Sequence, residues 1–350
     1  LKTGVLAVAG AGFRRSFQPS LLERSMTRYI LGRLAALLFV LFAVSVINFS
    51  IMHAVPGGPF DEEKQPLTGA ARENILRKYG LDKPVWQQYI NYMKNAVRLD
   101  FGISFQQPTM TVIELIAARW PLTMQVGILT LLIVFGLGVP LGVTAAYHQN
   151  SWIDNALTLF AMLGITLPNF VLAYMLLLLF AVQLDWLPMR GWGDSGCLLE
   201  TTPWGTGFLC LDWIMPVFAY ALGPMAVIAR YTRASVLDTI RSDYVRTARA
   251  KGLSERMVMT RHVFRSALIP VVTIGGPMIP DLMTGSIFIE STFSINGLGR
   301  YFVTSAFNRD YPMLMAIAFL IAGLWGLMNL LTDIVYTWVD PRVRLGAERG

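Results

Sequence analysis

The sequence predicts an all-α membrane protein with six spanning helices and both termini on the inner side of the bilayer. Three observations carry that expectation. The chain of 350 residues is 54% hydrophobic and only 15% charged, whereas soluble domains average about 25% charged residues. Its apolar residues gather in blocks long enough to cross a bilayer, which takes roughly 20 residues at 1.5 Å each for a ~30 Å core. None of these blocks alternates with the period of two that strands of a membrane barrel require.

Six spans are read, at residues 29–52, 122–147, 155–184, 213–231, 267–289 and 312–339. Several hold helix breakers: Gly136, Gly138 and Pro140 in the second, Gly164 and Pro168 in the third. The fifth is read as the least regular, with Pro270, Pro277 and Pro280 around Gly275 and Gly276. Breaks at this depth are tolerated where neighbouring helices or an aqueous cavity satisfy the freed backbone groups. A kinked packing helix and a pathway wall are both open for this span. On the second reading Gly275, Gly276, Asp281 and Gly285 line the pathway.

Orientation follows from Lys and Arg. With the N-terminus inside, inner segments hold eighteen of the 29 basic residues. Eight of the remaining eleven fall in the 53–121 segment, which is too long for the positive-inside rule to apply. The net charge of +7 therefore reports inner loops, and nucleic-acid binding is not needed to explain it. Residues 1–25 do not read as a secretory signal, because "VLAVAGAG" is rich in small residues and is followed by Arg14 and Arg15. They are set apart as an N-terminal extension. Met26 is a candidate start, and 26–350 is the membrane domain.

In the 53–121 segment, Thr68 is placed to cap a helix over "GAARENILRKY" that stops at Gly80. Pro84 suits the first position of a second helix, whose Trp86, Tyr89, Met93 and Val97 share one face. That face is expected to lie against the outer mouth of the bundle, as a surface cap. In the second outer segment, Trp186, Trp192 and Trp204 fit interfacial anchors, and Asp185, Asp194, Glu200 and Asp212 are dispersed loop acids. The two cysteines, Cys197 and Cys210, share this loop. A disulfide and free thiols are both open there, and two Cys without a nearby His are too few for a metal site.

The inner segment 232–266 reads as a helix–glycine–helix hairpin. Ser242 caps a helix through "DYVRTARAK", with Asp243 at its positive end. Gly252 stands where a left-handed residue ends the helix, and Leu253 is placed to fold back onto Ala248. Ser254 caps a second helix, with Glu255 near its start and Leu253, Met257, Phe264 and Leu268 on one side. Basic inner loops are the default of membrane topology, and basic amphipathic helices also bind anionic lipid headgroups. Charge alone identifies nothing here. The specific feature is "ARAKG", small side chains and an obligate turn that leave room for a partner.

The stretch "DYVRTARAKGLSERMVMTRHVFRSALIP" resembles the cytoplasmic coupling loop of ABC importer permeases. The likeness is to the peptide/nickel branch, specifically the B-type permease subunit of dipeptide and oligopeptide importers. It extends from about Met26 to Gly346 through "YGLDKPVWQQYINYM", "DFGISF", "PLGVTAA", "GITLPNF", "NGLGR", "NRDYP" and "DPRVRLG". Arg246 and Thr247 stand where the general loop pattern has Glu and Ala, as in the peptide branch. Gly58 replaces the acid of the usual "PGDP", which removes any role of that acid. Pro277, Pro280 and Asp281 are unusual in the fifth span.

The resemblance implies a type I ABC importer permease fold in a bacterial or archaeal cytoplasmic membrane. It also implies a passive half of a pump. The sequence has no G-x-x-x-x-G-K-[ST] phosphate loop, so the chain is expected to hold no cofactor, with ATP and Mg on partner ATPases. Partners would be a second homologous permease, two cytoplasmic ATPases, an extracytoplasmic substrate-binding protein and membrane lipid. Asp243, Tyr244, Arg246, Thr247, Ala248, Arg249, Ala250, Lys251 and Gly252 would seat the loop on an ATPase. The substrate expected is a peptide; nickel chelates and oligosaccharides are alternatives within the branch.

Rival classes need other features. An ion-coupled secondary transporter would use intramembrane acids, and the candidates are Asp281, Glu290 and Asp333, the last two expected near interfaces. A hydrolase would need a nucleophile and base within spans, whereas His53, His148 and His262 all lie at span ends or in loops. A channel is set aside only by the resemblance.

Overall fold

The computed structural model describes residues 19–55, 69–197 and 210–339. Gly58, Thr68, Glu200, Trp204, the extension before residue 19 and the basic residues beyond 339 lie outside the described residues. Every element that crosses or flanks the apolar zone is helical, and the one β-type contact among the described residues is an isolated bridge from Ile103 to Thr111.

Helix α1 runs Pro19–Ala54 and carries the first apolar stretch, Tyr29–Ala54. Two short outer helices follow, α2 (Gly69–Lys78) and α3 (Val85–Ala96). Helix α4 covers Val112–Tyr147, and its 36 residues rise about 54 Å at 1.5 Å each, well beyond a ~30 Å hydrocarbon core. Its early start has a local cause. Thr111 Oγ1 accepts from Glu114 N at 3.3 Å, and Glu114 Oε2 accepts from Thr111 N at 2.8 Å, a reciprocal capping box.

The third expected span is broken. Helix α5 (Trp152–Thr166) meets α6 (Asn169–Leu176) at a 103° bend, and α6 continues as a widened π-helical segment, Leu177–Gln183. Pro168 supplies the reason. A residue before proline is pushed out of the helical region, and Leu167 accordingly takes φ −80°, ψ 120°. Among the described residues five helices are long and apolar enough to cross a bilayer, and the bent pair makes a sixth if it counts as one span.

Helix α7 (Ile214–Ile240) extends nine residues past the expected 231, so the inner segment begins as rigid helix. Then come α8 (Asp243–Ala250), the single turn α9 (Glu255–Met257), a π-helical segment Val258–Val263 and α10 (Phe264–Thr284). The least regular span is the third and not the fifth: α10 stays helical through Pro270, Pro277 and Pro280, with α4, α7 and α13 (Tyr311–Val339) packed along it. The break comes later, at Gly285, whose φ of +92° favours glycine. Helices α11 (Ile287–Thr292) and α12 (Leu298–Phe307) form the last outer connection before α13.

The most extensive packing joins α4 to α7. Lipid tails are as apolar as Leu, so helices in a bilayer associate by close packing over small residues. Gly142 does this in α4: a methyl there would sit 2.6 Å from Thr232 Cβ and 3.1 Å from Arg233 N. Nearby, Arg233 forms a two-pronged ion pair with Asp154 at the start of α5, Nε to Oδ1 at 2.6 Å and Nη2 to Oδ2 at 2.7 Å. Asp154 is 2% exposed.

Two buried acids hold the outer connections. Asp310, fully buried, accepts from the Ser104 hydroxyl and from Phe105 N at 3.1 Å, tying "DFGISF" to "NRDYP". Glu290, also buried, accepts from Thr123 Oγ1 and from Arg300 N, each at 2.8 Å, while Thr123 Oγ1 accepts from Leu298 N at 2.7 Å. "NGLGR" is thereby pinned to α4. Glu290 is buried within the protein, and Asp333 pairs with Arg33 at 2.5 Å across α1 and α13. Both acids are thus engaged in holding helices.

Candidate functional site

The inner hairpin is built as its sequence suggests, with one face reassigned. Gly252 adopts φ +78°. Its N–H donates to Arg249 O at 2.9 Å, and Leu253 N donates to Ala248 O at 3.4 Å, the paired bonds of a Schellman ending. Arg249 then clasps Glu255 across the turn, Nη2 to Oε1 at 2.6 Å and Nε to Oε2 at 3.1 Å. The Glu255 carboxylate raises the already high pKa of Arg249. Turn and clasp together make one rigid corner.

The serines behave differently from expectation. Ser242 has the extended backbone of a cap, yet its hydroxyl donates back to Thr239 O at 2.6 Å, and neither it nor Ser254 makes a side-chain cap bond. Asp243 remains in the first turn, where its charge favours the helix dipole.

Ala248 is a correction. It is 5% exposed and packs with Val245, Val258, Val263 and Ala267 onto Ala146 and Val236, the inner ends of α4 and α7. It anchors the hairpin and is not available to a partner. The face that remains open carries Tyr244, Arg246, Thr247, Ala250, Lys251 and Gly252, with Asp243 and Arg249 beside it. The expected apolar side of the second helix is also displaced: Met257 and Phe264 are exposed, while Val258 and Val263 point inward. The π-helical segment explains the shift, because an i→i+5 pattern rotates the stripe away from a 3.6 period. A signal for the inward face was present in Val245 and Ala248, three residues apart.

The suggested pathway residues separate. Methyl groups on Gly275 and Gly276 would meet Phe135 Cζ at 2.5 Å and Thr332 Oγ1 at 2.6 Å, so both glycines serve packing inside the chain and cannot line a passage. Asp281 is exposed, and Gly285 packs beside Glu290 and Thr123 Cγ2. On the outer side, Cys197 and Cys210 are bonded to each other. Trp192 stacks on Trp213 at 5.0 Å between centroids, and Asp212 Oδ2 accepts from Asp194 N at 2.9 Å. A maleimide probe on the purified, unfolded chain should label no thiol before reduction and two after it. Labelling without reductant would refute the bond.

Residues 138–345 match the family described as the binding-protein-dependent transport system inner membrane component, and residues 26–127 match the N-terminal part of such a component. The chain belongs to this family. As a binding-protein-dependent transport component it is a multi-pass inner-membrane subunit of an ABC importer, and not an enzyme. It shares 39% identity over 320 residues with the dipeptide transport system permease protein DppB of Lactococcus lactis subsp. cremoris, covering 91% of this chain and 100% of that one. Against the oligopeptide transport system permease protein AppB of Bacillus subtilis, identity is 38% over 323 residues, with 91% and 99% covered. A solved chain from inward facing conformations of the MetNI methionine ABC transporter covers 65% of this chain and 97% of its own, at TM-score 0.49 and 16% identity. The type I permease fold fits this transport component, whose system includes ATPase and substrate-binding partners.

Proposed function

We propose that this chain is the permease subunit of an ATP-driven importer of di- and oligopeptides, forming half of a passage with a second homologous permease. Two cytoplasmic ATPases would bind ATP and Mg, one of them seated on the open face of the inner hairpin. An extracytoplasmic binding protein would deliver the peptide. Residues 26–350 form the permease domain in this reading, with 53–121 outside and 232–266 as the cytoplasmic coupling loop.

The observation that carries the proposal is the two-sidedness of the hairpin. One face is buried on the ends of α4 and α7 and the other is open. A push on the open face therefore moves packed helices rather than a loose loop. Peptide as the substrate rests on the relatives, whose names specify dipeptide and oligopeptide transport.

The test is a graded series at Gly252. No atom lies within 4 Å of an added Cβ there, so substitutions act through the backbone and through whatever docks. Left-handed backbone costs an ordinary residue about 1–2 kcal/mol, while Asn visits it routinely. Gly252→Asn should transport a dipeptide nearly as wild type does. Gly252→Val should insert normally and lose uptake by about tenfold or more, tenfold being the equivalent of 1.4 kcal/mol. Wild-type uptake by the valine variant would rule out hairpin docking, and ATP-driven uptake of another solute class in place of dipeptide would rule out the substrate.

A further inference from the structure

On the outer side a cavity of about 360 Å³ opens between α2, α3 and the outer ends of α1 and α13. Its size falls in the roughly 300–1,000 Å³ range of small-molecule sites. Its walls are aromatic, with Phe101, Phe105 and Tyr311 among them. What sets it apart is the helix behind it. At 100° per residue, Trp86, Ile90 and Val97 of the α3 segment share one face, and Gln88, Asn91 and Asn95 share the opposite one. The edge with Trp86 and Val97 points away from the protein, at 66% and 80% exposed, while Tyr89 packs on Phe49 of α1 and Ala96 is buried. The amide face lines the cavity.

Gln88 is held in place. Gln88 Nε2 donates to Lys83 O at 2.7 Å and Leu81 O at 3.2 Å, and its Oε1 lies 3.2 Å from His53 Nε2. Asn91 and Asn95 stand one turn apart beside it. The cavity also carries opposite charges on its lining, Lys78 from the end of α2 and Asp100 from the loop after α3. Asp100 is positioned by accepting Gly102 N at 3.0 Å through Oδ1.

We propose that this cavity is an extracytoplasmic binding site for a short zwitterionic peptide, which deepens and rests on the peptide-importer reading above. An ammonium terminus would meet Asp100 and a carboxylate terminus Lys78. The intervening amides would pair with Asn91 and Asn95, whose side chains offer both a donor and an acceptor. Small side chains would rest on the aromatic wall. The site belongs to the permease itself and acts independently of the binding protein.

Equilibrium dialysis of radiolabelled tri-alanine against the assembled transporter in nanodiscs, without binding protein or nucleotide, tests this. Saturable binding in the millimolar range or tighter is expected. Asp100→Asn and Lys78→Gln should each weaken it about tenfold, as loss of a charge-assisted bond does. Acetylated and amidated tri-alanine, which needs no variant protein, should bind at least as poorly. Absence of saturable binding to wild type overturns the site. So does equal binding of the blocked peptide, or binding unchanged by both substitutions. Parallel ATP-driven uptake of tri-alanine with binding protein present separates the two proposals. Uptake without binding removes only this site, whereas failed uptake removes the peptide-importer reading as well.

Discussion

Replacing Arg233 with alanine is expected to destabilise the protein by about 3–5 kcal/mol, the usual cost of stranding a buried charge. Asp154 is 2% exposed, and the guanidinium meets both its oxygens at 2.6 and 2.7 Å. Two further donors, Asn150 N at 2.9 Å and the more distant Thr158 Oγ1 at 3.5 Å, are left to the carboxylate when the arginine goes. Arg233→Lys should recover only part of the loss, because an ammonium cannot reproduce the planar two-pronged contact. The double replacement Asp154→Leu with Arg233→Met should lie close to wild type, since apolar residues often replace a buried ion pair without loss. Thermal unfolding of the detergent-solubilised transporter measures all three. If Arg233→Ala melts with wild type, the pair is not a structural tie between α5 and α7.

Replacing Glu290 with alanine should cost a similar amount. It removes the acceptor of two buried donors, the Thr123 hydroxyl and Arg300 N–H, each worth about 1–3 kcal/mol when left unmade, so about 2–6 kcal/mol in all. Glu290→Gln keeps one carbonyl oxygen but turns an amide N–H₂ toward the other donor, and should fall between alanine and wild type. Thr123→Val should cost a comparable amount, because it strands both Leu298 N–H and Glu290 Oε1 while preserving shape. Gly297 cannot be enlarged to compensate: a methyl there would lie 2.5 Å from Thr123 Oγ1 and 2.6 Å from Glu290 Oε2. Limited proteolysis between α11 and α12 gives an independent readout, and cleavage at the wild-type rate in Glu290→Ala would contradict a pinning role.

Local chemistry was legible and long-range chemistry was not. The apolar blocks located the spans, and Gly252 after Lys251 located a positive-φ turn, because each depends on residues within a few positions. Pro168 was noted as a breaker, but nothing nearby distinguishes a kink from a 103° bend. Thr123 and Glu290 are 167 positions apart, and Ser104 and Asp310 are 206 apart, so no periodicity joins them. The faces of α3 and α8 were misjudged for two different reasons. In α8 the anchoring pair, Val245 and Ala248, is only two residues wide, and Ala248 is small enough to read as space for a partner. In α3 the expected stripe divides: Tyr89 packs on Ser45 and Phe49 of α1 as expected, and Trp86 and Val97 do not. In a bilayer-associated protein the solvent at that face can itself be apolar, so Trp86 and Val97 turn outward.

The pairing of α1 with α13 has a consequence for biosynthesis. Arg33 and Asp333 are about 300 residues apart, which at roughly 5–20 residues per second separates their synthesis by about 15–60 s. During that interval α1 has no α13 to receive it. Lipid must shelter Leu38, Phe39 and Phe42, which stay exposed even in the finished bundle, and Arg33 must wait in the headgroup region for its acid. A helix made well before its partner is thus among the last to be locked.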